Sequence, residues 1–185
     1  MIDVNDLRSG VTFELEDELF KVLEYAHHKP GRGKATIRTK VRNLRTGSVT
    51  DKSFISGDRV QDVRLDYRQA QFLYEQGDLY FFMDTETYEQ PAIGTNILAE
   101  AIDYLKEGLE VKLTFFGTEP IEVELPTAVE LEVTQAETGV RGDTATGATK
   151  TVTTETGLKV QVPLFVETGD VIKVDTRSGA YLTRV

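Results

Sequence analysis

Short runs of alternating apolar and polar residues, cut by glycine turns, recur along almost the whole chain and leave room for little besides strand. In residues 35–44 (ATIRTKVRNL), Ala35, Ile37, Thr39 and Val41 share one parity, and Thr36, Arg38, Lys40 and Arg42 the other. Strand side chains alternate between faces, so the first set turns inward and the second faces water. Runs at 11–15, 20–27, 35–44 and 49–55, ended by Ser56-Gly57-Asp58, fit a small SH3-like barrel. Further runs at 71–73, 79–83, 88–93, 109–116 and 121–125 surround a short helix expected over 97–105, capped by Asn96 and ended by Gly108. That pattern fits an oligonucleotide-binding (OB) barrel, and the runs at 129–133, 151–154, 158–162, 171–174 and 181–185 make a second all-β barrel. The expected fold class is all-β: three small barrel domains over residues 1–64, 65–127 and 128–185. Three such blocks strung in line would reach about 80 Å. Arg8-Ser9-Gly10, Arg45-Thr46-Gly47 and Arg177-Ser178-Gly179 repeat one kind of turn chemistry.

Between the runs at 20–27 and 35–44 stands Lys29-Pro30-Gly31-Arg32-Gly33-Lys34, which reads as the tip of a hairpin. Strands of about eight residues at roughly 3.3 Å each would project it about 26 Å from the core. The glycines permit positive φ and leave no Cβ to crowd a partner, while Pro30 limits the disorder a partner must freeze out. Residues 21–45 hold eight cations and one acid, Glu24. The net charge of −10 hides this concentration. Residues 1–64 carry 12 Lys or Arg against 10 Asp or Glu, residues 65–127 carry 3 against 13, and residues 128–185 carry 6 against 8. Because salt screens remote charges over about 8–10 Å, the basic face can seek phosphate on an acidic protein.

Residue types needed for bond chemistry are sparse. Cysteine is absent, which excludes disulfides and thiolate metal sites and suits a cytoplasmic protein. His27 and His28, being adjacent on a strand, point to opposite faces and make a poor chelating pair. The acid pairs Asp84 and Glu86, Glu122 and Glu124, and Glu130 and Glu132 are spaced for the solvent face of a half-buried sheet. No signal peptide, membrane span, phosphate cradle or nucleophile motif is visible, so no enzyme, metal or cofactor is expected. A second loop, Arg141-Gly142-Asp143-Thr144, offers close backbone approach and donors to phosphate or 2′-OH.

Lys29-Pro30-Gly31-Arg32-Gly33, the run Gly139-Val140-Arg141-Gly142-Asp143-Thr144, and the C-terminal series Lys150 through Gly157, Val160-Gln161-Val162-Pro163 and Gly169 through Tyr181 together resemble bacterial translation elongation factor P. The resemblance covers essentially the full length. It implies an SH3-like (KOW-like) domain followed by two OB domains in an elongated, tRNA-like arrangement. It further implies a monomer that binds the 70S ribosome beside peptidyl-tRNA, between the P and E sites, and relieves stalling at consecutive prolines. By the same resemblance residues 29–34 approach the CCA end, and Arg38, Lys40 and Arg42 meet tRNA or rRNA phosphates. Residues 141–144 would face the small subunit and E-site mRNA, and Tyr181 and Arg184 are candidate RNA contacts. Arg32 is the candidate for post-translational modification by a dedicated enzyme, with Lys34 as the alternative. Two other readings fit the residues: a paralogue of that factor, and a general OB-fold RNA-binding protein that stacks bases on exposed aromatics such as those at 81–82 and 115–116. A hydrolase built on the acid pairs is a third.

Overall fold

The computed structural model describes residues 1–29, 31, 33–138 and 148–185. Pro30, Arg32 and residues 139–147 lie outside them, so the expectations for Arg32, Arg141, Gly142, Asp143 and Thr144 fall on positions of which nothing structural is stated.

Sixteen strands form three sheets among the described residues. The first contains β1 (Ile2–Asp3), β2 (Thr12–Leu15), β3 (Glu18–His28), β4 (Thr36–Asn43), β5 (Val49–Ile55) and β6 (Arg59–Asp62), in the order β1-β6-β2-β3-β4-β5. The second contains β7 (Asp66–Gln76), β8 (Leu79–Asp84), β9 (Ala92–Gly94), β10 (Glu110–Phe116) and β11 (Glu119–Glu124), ordered β11-β10-β7-β8-β9. The third contains β12 (Ala128–Ala136), β13 (Thr149–Thr154), β14 (Lys159–Pro163), β15 (Val171–Asp175) and β16 (Tyr181–Arg184), ordered β14-β13-β12-β15-β16. The mostly-β expectation holds. The chain groups into two compact units, residues 1–66 with 115–121, and residues 67–114 with 122–185.

Alternation builds each core. In β4 every second residue from Ile37 to Asn43 is buried, and the intervening Arg38, Lys40 and Arg42 are exposed. Ile37 and Val41 join Phe13, Phe20 and Phe54, with Phe13 5.7 Å from Phe20 and 6.0 Å from Phe54 between ring centres. In the second sheet Phe72 lies 5.5 Å from Phe82 and 5.9 Å from Tyr80. The third core is mainly valine, completed by Tyr104, which enters from outside its sheet. Each such side chain, fully buried, contributes about 1.5–3 kcal/mol.

The helical segment differs from expectation. The α-helix α1 covers only Thr95–Leu98, and residues 99–104 continue as a tighter 3-10 turn. Asn96 sits inside the helix rather than capping it. Ala99, at φ 46°, breaks the α ladder, so a continuous helix over 97–105 cannot form.

One turn recurs in all three sheets. Asn43 Oδ1 accepts from the backbone N–H of Arg45 (2.9 Å) and Thr46 (3.1 Å), and Gly47 N–H donates to the Asn43 carbonyl (2.8 Å). Asp175 does the same with Arg177 (2.8 Å), Ser178 (3.3 Å) and Gly179 (2.8 Å). Asp84 repeats it with Glu86 (2.8 Å), Thr87 (3.0 Å) and Tyr88 (2.9 Å). The closing residue is left-handed each time, at φ 75°, 71° and 60°. Asp84 is therefore a buried turn anchor, not the solvent-face acid its pairing with Glu86 suggests. Arg8-Ser9-Gly10 does not share the geometry; there Gly10 N–H donates to Val22.

Candidate nucleic-acid interface

The β3–β4 hairpin carries the sequence-expected site. Its register runs from Phe20 opposite Asn43 to His28 opposite Thr36, with a bulge between Val22 and Glu24. Beyond the bulge Tyr25 turns inward, half-buried, with the Arg8 guanidinium 4.9 Å above its ring. Past that point Ala26, His27 and His28 are all exposed, so β3 leaves the core three residues before the loop begins.

The hairpin does not stand clear of the body as expected. Strand β5 pairs along the whole of β4, from Arg42 opposite Val49 to Thr36 opposite Ile55, and Ser56 N–H adds a bond to the Ala35 carbonyl (2.8 Å). Among the described residues the last ladder pairs at this end are His28 opposite Thr36 and Thr36 opposite Ile55. Counting strand residues overstates the projection, because Ile37, opposite His27 and one pair from the end of the ladder, is already fully buried in the core.

Of the described loop residues, Lys29, Gly31, Gly33 and Lys34 are exposed. Gly33 has φ 113°, a conformation that disfavours any side chain, and a Cβ at Gly31 or Gly33 would meet nothing within 4 Å. The tip thus presents two lysines on an uncrowded backbone.

The cationic face is real but interrupted. Arg42 is flanked across the sheet by Lys21 and Val49, and Arg38 by Ala26 and Ser53. Lys40 sits between Glu24 and Asp51, and its Nζ lies 3.5 Å from Glu24 Oε1. Among the described residues neither Arg38 nor Arg42 has a carboxylate in ion-pair range, so these two are better placed to meet phosphate than Lys40. A shallow concavity lined by Glu24, Ala26, Arg38, Lys40, Asp51 and Ser53 covers this face.

In the last sheet Tyr181 is half-buried against the valine core. Arg184 lies 5.2 Å over the Phe165 ring and 3.4 Å from Asp170, whose carboxyl is held below its usual range first by the backbone N–H of Glu167. Both residues therefore have intramolecular roles. The remaining acid pairs do not converge on a reactive site: Glu122, Glu130 and Glu132 are exposed, and Glu124 receives Lys112 at 2.6 Å. Of the aromatics at 81–82 and 115–116, Phe81 and Phe116 make ring or apolar contacts. Phe81 stacks on Tyr74 at 4.8 Å, and Phe116 packs against Leu19, Val63 and Ile121.

A polar contact with no signature in the sequence joins Arg45 to Glu119. The guanidinium Nε lies 2.9 Å from Glu119 Oε1 and Nη2 lies 3.0 Å from Oε2, while Nη1 donates to the Asp17 carbonyl at 2.6 Å. The fork holds the Glu119 carboxyl below the usual glutamate range and raises Arg45. A separation of 74 residues left no local pattern by which to find it.

Comparison with known proteins covers the whole chain. Residues 3–60 match the model of the elongation factor P (EF-P) KOW-like domain, residues 65–123 the EF-P OB domain, and residues 129–184 the elongation factor P C-terminal domain. The chain is 47% identical over 184 residues to elongation factor P of Moorella thermoacetica, covering 100% of both chains. Among solved structures it is similar to one described as eukaryotic translation initiation factor 5A from Methanococcus jannaschii, at 22% identity and TM-score 0.55, over 68% of this chain and 90% of that one. A translation initiation factor eif-5a family protein from Naegleria fowleri is similar at 16% identity and TM-score 0.53, over 67% and 96%. At these identities the structural likenesses speak to fold alone.

Proposed function

Because this chain belongs to the elongation factor P family, we propose that it binds the 70S ribosome beside P-site peptidyl-tRNA, next to the E site, and speeds peptide-bond formation at consecutive prolines. It does so as a cytoplasmic monomer of three domains, residues 1–64, 65–127 and 128–185. The 29–34 tip, with Arg32 at its centre, orders the CCA end, and Arg38 and Arg42 meet tRNA or rRNA phosphates. Residues 141–144 serve the small-subunit side. Arg32, or else Lys34, is the residue a modifying enzyme would extend.

The observation that carries this reading is the tip itself. Two exposed lysines and two uncrowded glycines stand where the sheet's support ends, on a hairpin whose strands are fixed by pairing on both sides of β4. A prolyl ester reacts slowly unless its ends are held in attack geometry, and a stiff cationic loop can hold them without bond chemistry of its own. Of the rings at 81–82 and 115–116, Phe116 packs in an apolar cluster and Phe81 stacks on Tyr74, so neither stands alone as a platform for a base.

Arg32→Ala is expected to leave the far-UV spectrum and ribosome affinity unchanged and to abolish relief of stalling at a three-proline reporter. Full relief by the variant would rule out the tip's role.

A further inference from the structure

The turn between β10 and β11 belongs to the N-terminal unit, whereas the strands that carry it run on into the second. Its anchor is partly apolar: Ile121 is buried with Leu19 and Val63, and Phe116 packs beside them with Leu44. At the rim of this cluster sits the Arg45 fork on Glu119, with the third arm of the guanidinium on the Asp17 carbonyl. One side chain thus stitches the β2–β3 turn, the β4–β5 turn and the β10–β11 turn. Its own backbone is set by the Asn43 turn, and Leu44 N–H adds a bond to the Leu19 carbonyl at 2.8 Å.

The position of this knot matters more than its strength. Both side chains are substantially exposed, at 36% and 43%, and an exposed pair adds little to folding stability. A bidentate fork, however, fixes the plane and direction of approach as well as the distance. The knot grips β4 just beyond Asn43, at the end of the strand opposite the 29–34 tip. The eight residues of β4 at roughly 3.3 Å each separate the two by about 26 Å, so a tilt of about 10° at the root would carry the tip by about 5 Å. Reaction rates are sensitive to misplacement of about 1 Å.

We propose that Arg45 and Glu119 are positioning residues for the tip, fixing the direction in which the β3–β4 hairpin delivers it to its tRNA target. This rests on the role given to the tip above. Neither residue touches the tRNA; they act through the root of the hairpin.

The test measures the rate of proline-to-proline bond formation on ribosomes, at saturating factor and as a function of factor concentration. It uses the full chain, Arg45→Lys, Arg45→Glu, Glu119→Arg, the exchanged pair Arg45→Glu with Glu119→Arg, and Arg32→Ala. Each single reversal is expected to lower the saturating rate about 10-fold or more while shifting the half-saturating concentration less than about 3-fold. Arg45→Lys, which keeps charge and loses the fork, should fall in between. The exchanged pair should recover most of the rate, which a general loss of folding would not allow. Loss of stimulation in Arg32→Ala together with full saturating rates in both single reversals would overturn the inference and leave the tip's role standing. Failure of the exchanged pair to recover, with its melting profile unchanged, would also overturn it. Full stimulation by Arg32→Ala would remove the tip's role and this inference with it.

Discussion

Asp175 shows how much one carboxylate can organise. Its Oδ1 accepts the N–H groups of Arg177 and Ser178, and its Oδ2 lies 3.0 Å from the Arg177 guanidinium. Hydrogen bonding from the Arg177 side chain, then from its backbone N–H, lowers the carboxyl from its ordinary 3.8 to about 2. A carboxyl whose pKa is depressed in the folded protein favours folding wherever it is ionised in both states. Its contribution is therefore complete above about pH 4 and is lost as pH falls toward 2. Thermal melting of the parent protein should weaken more steeply between pH 4 and pH 2 than melting of Asp175→Asn, and the variant should be the less stable at neutral pH. Equal slopes would mean that the carboxylate has no net preference for the folded state. The anchoring role of Asp175 was half-legible, since Arg177-Ser178-Gly179 marks a turn in the sequence. That of Asp84 was hidden, because the left-handed position after it is filled by Tyr88 and no glycine signals the turn.

The turn shared by the three sheets gives a prediction for an element rather than a residue. At Gly47 and Gly179 the left-handed backbone is free of strain, whereas Tyr88 adopts φ 60° with a side chain that is 69% exposed and so gains little from packing. The left-handed penalty for a non-glycine residue is about 1–2 kcal/mol, partly offset by the roughly 0.5–1 kcal/mol of extra chain entropy that glycine loses on folding. Tyr88→Gly is therefore expected to raise stability by about 0.5–1 kcal/mol in a chemical denaturation curve, and a loss of stability would show that the tyrosine ring holds the turn. The same scale explains what period-two reading can and cannot deliver. In β4 it assigns every side chain to its observed face, because the pattern is imposed by the pleat itself. How far the hairpin projects depends on how far the core built by Phe13, Phe20 and Phe54 reaches along it, to Ile37, and the shortness of α1 depends on the backbone reversal at Ala99. Neither is a property of the segment's own composition.

At the scale of the whole molecule, charge and position are divided along the chain. The cations that could meet nucleic acid lie mainly in the first 64 residues, while residues 65–127 hold 13 acids against 3 cations. A factor so divided can bring one basic loop to an RNA target while the rest of its surface avoids unproductive contact with phosphate. Under the proposed function, this protein accelerates peptide-bond formation by ordering its target, without a group that titrates in the reaction. The most direct test is the single-turnover rate of proline-to-proline bond formation on ribosomes, measured against temperature and pH with the intact chain and without it. Ordering predicts that the gain lies in a less unfavourable activation entropy and that the pH profile keeps its shape. A new ionisation appearing in the profile only when the factor is present would contradict it.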